Sequence, residues 1–359
     1  MLLDIQSKEE LSVNLSITNA CNRRCAYCFQ KDWYLSKKAN AFTDESVREM
    51  PLEEFEKLCT WVGKRNKTLK LLGGEPLLYS KLPELLDIAE KAKKKIVFIS
   101  NISVEEPLFD RIYDRLSCDK PNVVSFLINT DYPASQEEIF MRNLRLLCKT
   151  KLSLGFSTTL LPGQKEIEKS RIRIEKYAQV YKEVRGNILG FHVRLAPLCP
   201  NPTNSTGFHI YNFTQDLVEF VNSLAPTQIL EYGFDCPVNL CELNSDFLDA
   251  CRNMGVRFKI ERCSPENGMP FDVLVDHSVI WCSSANFIRL NDWRDYTNYD
   301  TALVELSSRY YAWWREHGES EKCRACNKHN PGFCSGFCIA KTKNLSLETR
   351  SIPIVADKN

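Results

Sequence analysis

The sequence predicts an α/β protein: a partial (βα)6 TIM-like barrel followed by a small cysteine-rich domain. Three observations predict it. Short apolar runs alternate with amphipathic helical patterns over the first two-thirds of the chain. That alternation stops near Ala225, where Pro, Gly and Asn become frequent and the apolar runs shorten. Nine of the sixteen cysteines then fall in the remaining third. Repeated strand–helix units build a parallel sheet, and six suit an open barrel better than a closed one of eight.

In chain order, Leu11–Thr18 reads as the first strand and Pro51–Asn66 as the first helix. Strands Thr68–Leu72, Ile96–Ser100, Asn122–Asn129, Ser153–Leu160 and Ile188–Arg194 follow. Helices Lys81–Lys94, Leu108–Leu116, Gln136–Cys148 and Glu166–Val184 separate them, and Thr214–Leu224 comes last. We place the barrel at residues 1–224 and a second domain, built around metal more than around apolar bulk, at 225–359. In such barrels the active site gathers at the C-terminal ends of the strands.

Hydrophobic residues make up 43% and charged residues 26%, the balance of a globular protein with a real core. With 47 basic and 46 acidic side chains the net charge is +1, which argues for neither nucleic acid nor an anionic membrane as partner. The N-terminal segment lacks the basic start and apolar run of a signal peptide. No stretch approaches the roughly 20 apolar residues of a membrane helix. The chain therefore reads as cytoplasmic, where clustered cysteines hold metal more often than disulfides.

Directly after the first strand comes Cys21-Asn-Arg-Arg-Cys25-Ala-Tyr-Cys28. Each of these three thiolates can bind one iron of a [4Fe–4S] cluster and leave the fourth iron open to an outside ligand. A zinc site lacking one ligand is the blander reading. The second strand ends in Leu72-Gly73-Gly74-Glu75-Pro76. Its two glycines let backbone groups approach a ligand, and the glutamate supplies an acceptor for a cationic amine. Alone, the segment is also compatible with a tight turn before a helix.

The cysteine spacing, with Tyr27 before the last ligand, and the glycine–glutamate–proline segment one strand later resemble the radical S-adenosylmethionine (SAM) superfamily. The resemblance implies a SAM-binding [4Fe–4S] cluster on Cys21, Cys25 and Cys28. It also implies that Gly73, Gly74, Glu75 and Pro76 bind the methionine amine, whose amino acid end chelates the open iron. Ser100 and Asn101 fall where a contact to the ribose or carboxylate is expected, and Ser157, Thr159 and Arg194 where further SAM contacts are. The implied chemistry is reductive cleavage of SAM to a 5′-deoxyadenosyl radical that abstracts a substrate hydrogen, fed by a flavodoxin- or ferredoxin-type donor. The loop Lys31–Met50, carrying Trp33 and Tyr34, is long enough to cover the barrel mouth, or is a solvated surface loop. Cys199, just beyond the sixth strand, is a candidate hydrogen donor, with loop packing as the alternative.

The C-terminal part reads Cys263-x13-His277-x4-Cys282, then Cys323-x2-Cys326-x7-Cys334-x3-Cys338. This resembles the SPASM domain, which holds two auxiliary [4Fe–4S] clusters, or its shortened one-cluster relative, the twitch domain. It departs from the pattern in placing His277 at a glycine position, in a longer third gap, and in having no cysteine after Cys338. By analogy one cluster takes Cys263, Cys282, Cys338 and an upstream cysteine, Cys251 or else Cys236 or Cys241. Another takes Cys323, Cys326 and Cys334. A single cluster on Cys263, Cys282, Cys323 and Cys326, or a zinc ribbon, is the alternative. Cys59, Cys118 and Cys148 sit at apolar helix positions and read as core.

SPASM-type enzymes mostly modify ribosomally synthesised peptides by crosslinking, epimerisation or oxidation, and this is the favoured function. Only about ten residues precede the first strand, so leader recognition is expected to need a separate leader-peptide-binding protein or the barrel mouth. Dehydrogenation of a small molecule such as an amino sugar is the second reading. A non-catalytic Fe–S or zinc scaffold, which would not cleave SAM, is a third of another class.

Overall fold

The computed structural model describes residues 12–23, 25, 28, 48–64, 66–118, 122–160, 164–187, 192–197, 231–234, 249, 253, 271–282 and 285–317. Strand alternation sorts the two faces of its sheet. In β1 (Ser12–Thr18), Val13, Leu15 and Ile17 are fully buried in the core, while Ser12, Asn14, Ser16 and Thr18 take the opposite face. The same period puts Leu69 and Leu71 of β2 (Thr68–Gly73) and Ile96 and Phe98 of β3 (Lys95–Ser100) on the core side. It does so again for Phe126 and Ile128 of β4 (Val123–Asn129) and Leu154 and Phe156 of β5 (Ser153–Leu160). Phe98 stacks on Phe126 at 4.9 Å between ring centroids, so the core runs continuously from strand to strand.

These five strands, β6 (His192–Pro197) and β7 (Glu231–Phe234) lie parallel and in sequence order. Helices α1 (Leu52–Trp61), α2 (Leu82–Lys91), α3 (Glu106–Ser117), α4 (Glu137–Lys149) and α5 (Gln164–Arg185) supply crossovers. On the other side of β1, β8 (Asp272–Val273) pairs in parallel with it. Two antiparallel strands, β9 (Val279–Ile280) and β10 (Arg289–Leu290), complete a ten-stranded sheet. The long helix α6 (Tyr299–His317) follows.

The structure departs from the sequence reading at several ends. α1 stops at Trp61, not Asn66, because Gly63 turns the chain at φ +70°. α2 stops at Lys91, with Lys93 in the left-handed region. β6 runs on to Pro197, whose missing N–H marks its end. Cys59 and Cys148 are buried as expected, but Cys118 is exposed, since it follows the last turn of α3. The helix read at 214–224 and most of the loop at 31–50 lie outside the described residues.

β7 to β10 and α6 had no counterpart in the sequence reading. An aromatic seam holds part of this addition: Trp61 of α1 lies 5.3 Å from Trp293 and 6.0 Å from Tyr299, ring centre to ring centre. Its indole N–H donates to the Tyr296 carbonyl at 2.9 Å.

Candidate active site

The ladder between β1 and β2 slips between Ser16 and Thr18, bringing Thr18 opposite Gly73. The Gly74 N–H then donates to the Thr18 carbonyl at 2.8 Å and the Glu75 N–H to the Ala20 carbonyl at 2.7 Å. This approach needs glycine. A Cβ on Gly73, whose φ is +135°, would stand 2.3 Å from the Thr18 oxygen, and one on Gly74 would stand 2.0 Å from the Ala20 oxygen. The start of the cysteine loop is therefore docked backbone to backbone on the end of β2.

Glu75 is 1% exposed. Its Oε1 accepts from the Leu77 N–H at 3.1 Å and the Ser100 hydroxyl at 2.6 Å, and its Oε2 accepts from the Asn101 N–H at 2.7 Å. Burial raises its pKa and these donors oppose the rise. Both oxygens are engaged within the chain, so the carboxylate ties the end of β2 to the end of β3.

Cys21, Cys25 and Cys28 are half-buried. Burial pushes the Cys21 thiol up to about 12, against the pull of the Arg23 N–H, which points at its sulfur at 3.4 Å. The Glu75 carboxylate and the other two thiols raise it further. Among the described residues no three His, Cys, Asp or Glu side chains meet as ligands of a single ion, whereas a four-iron cluster takes its cysteines at separate corners. The donor set fits an iron–sulfur cluster, and the two glycines serve to seat its loop on the end of β2.

Neighbouring strand ends hold this loop. Asn22 donates to the Ser103 carbonyl at 2.6 Å and accepts from the Asn101 amide at 2.9 Å. Arg23, 6% exposed, donates through Nη2 to the Asn101 carbonyl at 3.1 Å and the Ser103 hydroxyl at 2.6 Å. Its Nε donates to Gln136 at 3.1 Å and its Nη1 to the Asp131 carbonyl.

The structure thus brings Cys21, Cys25, Cys28, Gly73, Gly74, Glu75, Pro76, Ser100 and Asn101 together across three adjacent strand ends. Ser157 and Thr159 lie farther along, on β5. The Ser157 carbonyl accepts from Thr130, and the Thr159 N–H donates to Asp131 at 3.0 Å. Arg194 pairs with Ser157 in the ladder to β6. Tyr27, Cys199, Cys236, Cys241, Cys251, Cys263, Cys323, Cys326, Cys334 and Cys338 lie outside the described residues. Cys282 is half-buried just beyond β9. His277 turns the β8–β9 hairpin at φ +72°, a conformation that favours the glycine of the resembled pattern. Sequence reasoning missed Asn22, Arg23, Ser103, Asp131 and Gln136. Their only signal was two arginines between cysteines.

Residues 15–173 match the model of the Radical SAM superfamily. They form a radical SAM domain. Two curated relatives are GTP 3′,8-cyclases. The one from Chlorobaculum tepidum is 32% identical over 105 residues, 29% of this chain and 28% of that protein. The one from Bradyrhizobium diazoefficiens is 37% identical over 67 residues, 18% and 17% of the two chains. The match therefore spans less than a third of the length of those relatives. A likeness of fold extends further among solved structures. Streptococcus suis SuiB bound to S-adenosylmethionine covers 95% of this chain and 75% of its own, with a TM-score of 0.58 at 12% identity. SuiB bound to its precursor peptide SuiA gives a TM-score of 0.60 at the same identity, covering 95% and 73%. The α/β partial barrel is confirmed by this likeness. Among the described residues no helix is long and apolar enough to cross a membrane.

Proposed function

We propose that this radical SAM protein cleaves SAM reductively and uses the resulting radical to modify a peptide. When bound, the [4Fe–4S] cluster and SAM supply an electron and a 5′-deoxyadenosyl radical able to break an unactivated C–H bond. The chain's own residues bind and orient. Cys21, Cys25 and Cys28 would hold the cluster. Gly73 and Gly74 would hold the cysteine loop close against the end of β2, with Glu75 fixing that end against Ser100 and Asn101 beside the methionine end of SAM. Ser157, Thr159, Arg194 and Tyr27 would supply the remaining contacts to SAM. Held in this way, the reacting carbon is kept near its target and away from water. One or two auxiliary clusters on Cys282 and the other C-terminal cysteines would take up the electron left on an oxidised substrate.

The observation that carries the peptide reading is the likeness to SuiB, which runs over 95% of the chain and so past the radical SAM domain. A second reading, a small-molecule substrate, draws on the GTP 3′,8-cyclases, but over a far shorter stretch. The test is anaerobic incubation of the reconstituted protein, SAM and reductant with short peptides encoded beside its gene. A peptide that loses two hydrogens or gains a crosslink, with formation of 5′-deoxyadenosine, is expected. SAM cleavage stimulated by a nucleotide or sugar and by no peptide would favour the second reading. Cys21→Ala, Cys25→Ala and Cys28→Ala should each abolish cleavage; full activity in any of them contradicts the assignment.

A further inference from the structure

We infer that Arg23 is a positioning residue that locks the cysteine loop onto the strand ends contacting SAM. The inference rests on Cys21, Cys25 and Cys28 holding the SAM-cleaving cluster. Arg23 stands between the first two of these cysteines, yet its guanidinium is turned away from solvent. Its planar fork reaches Asn101 and Ser103 beyond β3, and Asp131 and Gln136 beyond β4. No point-charge ammonium can satisfy that spread of acceptors.

The receiving surface is strained. Ile102 lies between Asn101 and Ser103 with φ +48°, a region that a β-branched residue enters only when its surroundings force it. Those surroundings are a set of side-chain hydrogen bonds. The Asn143 amide donates to the Ile102 carbonyl at 2.7 Å and the Val104 carbonyl at 2.8 Å. The Ser103 N–H donates to the Asn101 side chain at 2.8 Å, and the Ile102 N–H to the Ser100 hydroxyl at 2.9 Å. This hook presents the Asn101 carbonyl and the Ser103 hydroxyl to Arg23, and the Asn101 amide to Asn22. Asn101 also donates its N–H to Glu75. Asp131, whose carbonyl takes Arg23, holds the Thr159 N–H of β5 through its carboxylate at 3.0 Å. A shift of the cysteine loop is therefore felt at Glu75, Asn101 and Thr159 together.

The test uses the full chain, anaerobically reconstituted, as wild type, Arg23→Lys and Ser103→Ala. It reads melting temperature, iron and sulfide per chain, SAM affinity by equilibrium dialysis, and the change that SAM produces in the electron paramagnetic resonance spectrum of the reduced protein. Arg23→Lys is expected to keep its iron and its fold while SAM affinity falls about tenfold, the low end of what losing a group that orients metal ligands costs a metal site in affinity or activity. The SAM-induced spectral change should shrink. Ser103→Ala, which removes one hydrogen bond, should show a smaller loss of the same kind. Unchanged affinity and spectral change in the folded variants overturn the inference, as does a loss confined to melting temperature and iron. Should Arg23→Lys not fold, Ser103→Ala alone decides. A wild-type chain that binds iron but no SAM overturns the underlying reading instead.

Discussion

Gly74→Ala would place a methyl group 2.0 Å from the Ala20 carbonyl oxygen, so either the end of β2 or the cysteine loop must move. The expected cost is about 1–3 kcal/mol, as for other overpacked sites. It should be read as a lower melting temperature together with less iron retained after reconstitution. A variant with wild-type stability and iron would mean that the close approach is not needed. The need for glycine here was legible in the sequence as a close backbone approach, but what approaches is the chain's own Thr18 and Ala20. The three cysteines stood out by their spacing directly after the first strand. Arg23 did not. In sequence it is half of an Arg-Arg pair with nothing nearby to mark it as buried. What buries it are Asn101, Ser103, Asp131 and Gln136, which stand 78 to 113 residues away in the chain. The left-handed turn at His277 was half legible: the resembled pattern has glycine there, and the backbone keeps the conformation glycine would take.

At the scale of elements, the first turn of α1 meets the segment that follows β10. Lys57 holds the Glu54 carboxyl below its ordinary range, with Arg294 adding to the effect. Asp292, despite a burial that pushes it up, is held low by hydrogen bonds from Arg294. Both carboxyls are thus depressed in the folded chain. They stabilise it above the ordinary carboxyl range, and that contribution is lost as pH falls through their folded values. Arg294→Ala should flatten the loss of stability between pH 7 and pH 3 by less than about 1 kcal/mol, the scale of part-exposed pairs. Urea unfolding at the two pH values measures it, and a steeper acid loss would contradict the account. In the same region Trp61→Ala should cost about 3–5 kcal/mol, because the ring fills the seam with Phe271, Trp293 and Tyr299. Thermal melting decides this, and a loss below 1 kcal/mol would place the indole outside the load of the fold. The seam was hidden in the sequence. Its strands are two residues long, too short for a period to be seen, and the helix that supplies Tyr299 begins after turns rich in Asn and Asp.

Across the whole molecule, alternation of strand and helix was enough to find the first six strands, the first five of which bury an apolar set on one face. It could not find what closes the exposed side of β1. That edge is taken by β8, from residues 272–273, far along the chain. The residues beyond 224 therefore contribute to the same sheet as the radical SAM domain. Removing them should uncover the β1 edge and the aromatic seam and leave a fragment 1–224 that aggregates. A monomeric, cooperatively melting fragment would refute that dependence.

The loop after β1 is proposed to hold an iron–sulfur cluster distinct from any metal in the C-terminal third. Iron and sulfide counting after anaerobic reconstitution tests it most directly, with wild type set against a Cys21→Ala, Cys25→Ala, Cys28→Ala triple variant. The account predicts about four fewer irons per chain in the variant, one [4Fe–4S] cluster, while the remaining iron stays bound. Equal iron in the two proteins, or zinc in place of iron, would contradict it.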